Sequence, residues 1–243
     1  MAQTPSSPIN EIDLTEEKTS SVSSDDENRQ TELNDSLSCF DFQFTCEYGT
    51  PQDVQKAIKN GADINCQDEE LGWTPLMSAM LNESGQEIVT LLVEAGAQVN
   101  LANWQGMTAL MVAADTGDED LVSYLLEHGA KLYINDVESE YGFSPLIWAA
   151  KNNENHGAEI IQTLINQGAD VRLKDKNGFT ALFWAAMMNS NESVIHSLIQ
   201  NGADINQIGP KNVTPLMGAI SMNSNINITK LLLDSGADVS VIS

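Results

Sequence analysis

Residues 72 to 97 open Gly72-Trp73-Thr74-Pro75-Leu76-Met77-Ser78-Ala79-Met80, pass through Asn82-Glu83-Ser84-Gly85, and continue Gln86-Glu87-Ile88-Val89-Thr90-Leu91-Leu92-Val93-Glu94-Ala95-Gly96-Ala97. Thr74 is placed to cap a helix by accepting an orphan backbone N–H, and Pro75 at the first helical position gives up no hydrogen bond. Leu76, Ala79 and Met80 form an apolar stripe with small residues where a neighbour must come close, and Gly85 is expected to end this short helix. A second helix from about Gln86 to Glu94 offers Ile88, Val89, Leu91 and Leu92 for packing, and Gly96 supplies the left-handed position behind it. Helices this short do not persist alone, because nucleation is costly and one apolar face would stay wet. Stacking each pair on the next removes both costs.

The rest of the chain supplies the neighbours. A Gly-Ala pair recurs at Gly61, Gly96, Gly129, Gly168, Gly202 and Gly236, at intervals of 35, 33, 39, 34 and 34 residues. Thr-Pro-Leu or a close variant starts at Thr74, Thr108, Ser144, Thr180 and Thr214, always 12 to 15 residues after the preceding glycine. The five stretches read Gly72-Trp73-Thr74-Pro75-Leu76, Gly106-Met107-Thr108-Ala109-Leu110, Gly142-Phe143-Ser144-Pro145-Leu146, Gly178-Phe179-Thr180-Ala181-Leu182 and Asn212-Val213-Thr214-Pro215-Leu216. With the apolar second helix and the Gly-Ala-Asp ending, this pattern resembles the ankyrin repeat of about 33 residues. The expected fold is an all-α repeat solenoid of six stacked helix-turn-helix units with projecting hairpin turns, over residues 39–243.

Three departures from that pattern stand out. The first unit, residues 39–61, lacks the Thr-Pro-Leu marker but keeps Thr50, Pro51 and Asp53 as a helix start, so it reads as an N-terminal cap whose Phe40, Phe42, Phe44 and Cys46 fill a dense core. The resemblance implies a histidine directly after Thr-Pro-Leu; here Met77, Met111, Ile147, Phe183 and Met217 stand there, so packing must replace a polar link. The 39-residue interval between Gly129 and Gly168 is expected to enlarge the hairpin near Asn135 to Tyr141 and the connection near Lys151 to Gly157.

The chain has 243 residues and a net charge of −24, which disfavours nucleic acid and anionic membrane and favours a protein partner with a basic surface. Oligomeric state stays open. Residues 1–38 are acidic, polar and free of aromatic residues, and are expected to be a disordered tail. The three cysteines, Cys39, Cys46 and Cys66, form no metal or redox motif and suggest a reducing compartment. No segment has the roughly 18 apolar residues of a membrane span. Together these suggest a cytoplasmic or nuclear location, with secretion into a host cell open for a microbial source. Twenty-two asparagines against two arginines fit such an effector and fit a consensus design poorly.

Catalytic chemistry finds little support. His128, His156 and His196 belong to different units without metal spacing, the recurring Asp63, Asp170, Asp204 and Asp238 suggest turn hydrogen bonds, and no thiol has an identifiable base. No catalytic residue, metal or cofactor is assigned. A binding surface is better supported: the residue before each cap is Trp73, Met107, Phe143, Phe179 or Val213, adjacent turns add Trp104 and Tyr141, and Met187 extends the row near a helix end. Trp148 and Trp184, inside the first helices, suit wedging between helices as well as exposure. The expectation is a non-enzymatic protein-binding module or adaptor using the concave face and hairpin turns. Its alternatives are an acidic inhibitor of a nucleic-acid-binding protein or enzyme, and a structural scaffold subunit.

Overall fold

The computed structural model describes residues 37–152 and 156–240. Among them, twelve helices form six successive pairs: α1 (Cys39–Tyr48) with α2 (Pro51–Lys59), α3 (Pro75–Ala79) with α4 (Gly85–Glu94), α5 (Ala109–Thr116) with α6 (Glu119–Glu127), α7 (Pro145–Asn152) with α8 (Gly157–Asn166), α9 (Ala181–Met188) with α10 (Glu192–Gln200), and α11 (Pro215–Met222) with α12 (Ile226–Asp234). First helices pack on first helices, α1 on α3 through to α9 on α11, and second helices on second helices, α2 on α4 through to α10 on α12. The protein is an all-α repeat solenoid. The expected tail over residues 1–38 lies outside the described residues apart from Leu37 and Ser38, and Ser38 caps α1 by accepting the Asp41 N–H. The expected extension near Lys151 to Gly157 also falls partly outside them.

The caps work as the sequence suggests. The hydroxyls of Thr74, Thr108 and Thr214 accept the N–H groups of Met77, Met111 and Met217, Ser144 accepts that of Ile147, and Thr50 and Asp53 close a capping box on α2. Thr180 makes no such side-chain bond. The position after Thr-Pro-Leu is buried in the stack at Met77, Met111, Ile147 and Phe183, so apolar contact occupies the site where the ankyrin pattern has histidine.

Gly85 does not end the first helix of its unit: α3 stops at Ala79, and Gly85 is the first residue of α4. The chain turns earlier because Asn82 anchors it. Its amide donates to the carbonyls of Cys46 at 3.1 Å and Gly49 at 3.0 Å, while its Oδ1 accepts the Ser84 N–H at 2.8 Å. Asn189 and Asn223 repeat the device, donating to Ala150 at 3.0 Å and to Ala186 at 2.9 Å.

Each projecting turn is closed by the same backbone bond, from Asp68, Asn103, Glu138, Asp175 and Gly209 N–H to the carbonyls of Trp73, Met107, Phe143, Phe179 and Val213. In the first four turns the closing residue also folds its side chain inward. Asp68 accepts the N–H groups of Leu71 and Trp73, Asn103 those of Gln105 and Met107, Glu138 those of Tyr141 and Phe143, and Asp175 those of Asn177 and Phe179. Glu138 belongs to the turn in the longest Gly-to-Gly interval, where a 3₁₀ segment, Ala130–Tyr133, follows Gly129. The four Gly-Ala-Asp carboxylates likewise accept backbone N–H groups two residues on, from Asn65, Arg172, Asn206 and Ser240.

Two expectations for the first unit are corrected. Phe42 and Cys46 are buried, but Phe40 and Phe44 are 71% and 55% exposed, because among the described residues no helix pair precedes α1 to cover that face. Cys39 and Cys66 are joined in a disulfide, with Cα atoms 5.7 Å apart. The pairing is hidden in the sequence because 27 residues separate the two cysteines, and only the fold brings the turn after α2 back to the start of α1. Cys46 stays free, and burial pushes its thiol up to about 12, so it remains protonated and unreactive at neutral pH.

Candidate functional site

The Asn82 and Asn223 bonds fix which first-helix residues are equivalent. Asn82 donates to Cys46 and Gly49, and Asn223 donates to Ala186 and Asn189. Cys46 therefore corresponds to Ala186, Phe44 to Trp184 and Tyr48 to Met188. Trp148 follows its cap by four residues, as Trp184 does. Phe44, Trp148 and Trp184 thus occupy one position on α1, α7 and α9. Sequence reading missed Phe44 and Tyr48 as surface residues, since the first unit lacks the marker that sets the register.

The two tryptophans form the centre of an aromatic cluster that includes three of the expected contact residues, Tyr141, Phe143 and Phe179. Phe143 meets Trp148 and Trp184 edge-on at 5.1 Å each, Tyr141 lies 5.4 Å from Phe143, and Phe179 stacks on Phe183 at 3.9 Å. The Lys151 ammonium sits 5.3 Å from the Trp148 ring. Asp175 Oδ2 accepts the Trp184 indole N–H at 2.9 Å. Trp148 Nε1 is buried without a hydrogen-bond partner, so no hydrogen bond anchors that indole.

Phe143 is therefore corrected as a contact residue: at 2% exposure it is the floor under Tyr141, Trp148 and Trp184, and no partner reaches it. Trp104 is 60% exposed and Tyr141 is 36% exposed. Trp73, Met107, Phe179 and Met187 are half-buried. The Trp104 ring lies flush on the preceding turn, where a methyl on Gly72 would come within 2.5 Å of it. Trp73 is tied to the first unit by the Gln43 amide, which donates to its carbonyl at 2.6 Å. Met188 and Met222 add exposed thioethers at the ends of α9 and α11.

Asp115, on α5, accepts a hydrogen bond from Asn152. Burial raises its pKa above the usual carboxylate range, against the opposing effects of the Asn152 bond and Lys151. A carboxyl with a raised folded-state pKa destabilises the fold once the pH exceeds its unfolded value, and the penalty disappears on acidification. Asp115→Asn is expected to raise the melting temperature by a few degrees at neutral pH and to match the unmodified chain at acid pH. Thermal melts across a pH series check this, and a constant difference at all pH values would count against it.

A family model described as ankyrin repeats (3 copies) matches residues 42–136, 92–157 and 146–243. The chain belongs to the ankyrin-repeat family. Among curated ankyrin-repeat relatives, the rat ankyrin repeat and SAM domain-containing protein 6 is 35% identical over 126 residues, 52% of this chain and 14% of that protein. A putative ankyrin repeat protein of fowlpox virus is 35% identical over 147 residues, 58% of this chain and 41% of that protein. The chain thus spans a minor part of these relatives' length. A solved structure matches with a TM-score of 0.67 and 29% identity, covering 79% of this ankyrin-repeat chain and 96% of the other; it is a predatory endopeptidase from Bdellovibrio bacteriovorus in complex with an immunity protein.

That match corrects the expectation of a non-enzymatic binding module or adaptor. The structural neighbour comes from a peptidase complex, so the flat exclusion of an enzyme, and the adaptor and scaffold descriptions that went with it, are overturned. Among the described residues, no helix of the ankyrin-repeat stack is long and apolar enough to cross a membrane.

Proposed function

We propose that the protein works in a peptidase–immunity pair, with the first-helix row and the projecting turns as the surface that meets the other member. The match to nearly the whole length of a chain in such a complex carries this reading. The surface chemistry supports it. Trp104 and Tyr141 offer large, rigid, partly wet rings beside the flexible thioethers of Met187 and Met188, the mix of anchors and adaptable contacts that binding hot spots use. The Cys39–Cys66 bond supports an oxidising compartment as the place where the pair meets, since such bonds persist poorly among cytosolic thiols.

The test uses the endopeptidase of the matched complex. Peptide hydrolysis is followed for that enzyme alone, for the full chain alone, and for the two mixed. A changed rate in the mixture, or hydrolysis by the chain itself, is expected, and which of the two appears assigns the chain to one side of the pair. Unchanged rates together with an inactive chain would overturn the reading. If the mixture shows an effect, Trp104→Ala is expected to weaken binding by about 2 kcal/mol, roughly 30-fold, without unfolding the stack. Titration calorimetry reads that change, and unaltered affinity would remove Trp104 from the surface.

A further inference from the structure

On this acidic chain the positive charge is gathered toward one end. Residues 60–130 hold twelve acidic residues and no lysine or arginine, whereas Arg172, Lys174, Lys176 and Lys211 fall around two consecutive turns. All four are exposed. Lys174 pairs with Thr180 in an isolated antiparallel bridge, and the Lys176 N–H donates to the Tyr141 carbonyl at 3.0 Å. The next turn lies directly alongside, since a methyl on Gly178 would approach Pro210 to 3.4 Å and one on Gly209 would strike the Phe179 ring. The cations thus border Tyr141 and Phe179, at one end of the exposed aromatic surface.

Three nearby carboxylates are folded onto their own turns, while Glu140, beside Tyr141, is exposed. Asp175 is folded inward onto Asn177, Phe179 and Trp184, Asp170 holds the Arg172 N–H at 2.9 Å, and Asp204 holds the Asn206 N–H at 2.9 Å. Stacked helices lie about 8–10 Å apart, and the screening length at physiological salt is about 8 Å. Acidic turns two units away therefore barely cancel the local field.

The turn that carries Lys211 is unusual in two further ways. Its closing residue is Gly209, so the inward side-chain acceptor of the four preceding turns is missing. Its backbone is left-handed at Asn212 (φ 60°), where the earlier turns place Gly72, Gly106, Gly142 and Gly178, and also one residue before, at Lys211 (φ 58°), where none of the earlier turns is left-handed. A lysine kept in a region that side chains disfavour, at the tip of a projecting turn, points to a use for its charge.

We propose that the fourth and fifth turns, those closed by Asp175 and Gly209, form a cationic edge that receives an acidic segment of a protein partner. The acidic stretch over residues 60–130 repels that segment, so the edge also sets the direction in which the partner lies along the stack. The proposal rests on the reading that these turns meet another protein, and not on that protein being part of a peptidase pair.

The probe is a fluorescein-labelled oligoglutamate peptide, followed by fluorescence anisotropy with the full chain at low and at physiological salt. Binding is expected despite the net negative charge, weakening as salt rises. Lys174→Glu combined with Lys211→Glu is expected to reduce it at least about tenfold, while Lys59→Glu, on exposed α2, leaves it unchanged. Circular dichroism confirms that each variant is folded, and Lys211→Gln, which reverses no charge, serves if the double variant is not. No binding by the intact chain, or equal binding by folded edge variants, overturns the proposal. So does tighter binding of an oligothymidylate, which would assign the edge to nucleic-acid phosphate. The hydrolysis assay contains no oligoglutamate, so failure of the edge and failure of the peptidase pairing are separately readable.

Discussion

Reduction of the Cys39–Cys66 bond is expected to release the N-terminal unit while the later units stay folded. The bond closes a loop of 27 residues, and the chain-entropy relation gives such a cross-link about 3.5 kcal/mol. That is a large share of what one terminal pair can hold, because a repeat touches only its neighbours and α1 packs chiefly on α2 and α3. Phe40, Phe44 and Tyr48 on α1 are exposed, so burial of Phe42 and Cys46 must do most of the remaining holding. Cys39→Ser, or reductant added to the unmodified chain, is expected to split the thermal transition and speed amide exchange first in α1 and α2. Cys46 cannot substitute as a bridging thiol, being buried and protonated. Identical melting with and without reductant would show that the bond contributes nothing to this end of the stack.

The architecture was legible because its signals are local and repeated. Thr74 with Pro75, or Thr50 with Pro51 and Asp53, specify a helix start within four residues, and the recurrence of the marker fixes the stacking partner. What stayed hidden depends on contacts across units. The Cys39–Cys66 pairing needs the fold of the first turn, the early end of α3 needs the reach of Asn82 to Cys46, and the exposure of Phe44 needs the packing around α1. Phe143 shows the limit for the site: the same position before the cap is buried there and half-exposed at Trp73 and Phe179, because the tryptophans of α7 and α9 close over it. The position is regular in the sequence, but its accessibility is set by neighbours that differ from unit to unit.

The inward side chains that close the turns were also missed, because their identities vary among Asp68, Asn103, Glu138 and Asp175 while their role does not. Asp175→Ala is expected to be the most damaging single change among them. It leaves the N–H groups of Asn177 and Phe179 without their acceptor and also strips the Trp184 indole of its partner. Bonds to a charged acceptor contribute about 1.5–3 kcal/mol each, and part of that is recovered where water can reach the freed turn, so a net loss of about 3–4 kcal/mol is expected. The effect passes to the surface: Trp184 holds Phe143 edge-on at 5.1 Å, and a loosened indole disturbs the floor beneath Tyr141. Asp175→Asn separates turn closure from charge. Asn103 already closes its own turn through an amide oxygen at 2.9 and 2.8 Å, so the Asn variant is expected to keep the turn but to set an amide NH2 against the Trp184 indole N–H in place of the Oδ2 acceptor, losing about 2 kcal/mol. Urea unfolding monitored by tryptophan fluorescence reads both variants, and an Ala variant as stable as the Asn variant would show that the Asp175 carboxylate is not what holds this turn and its tryptophan in place.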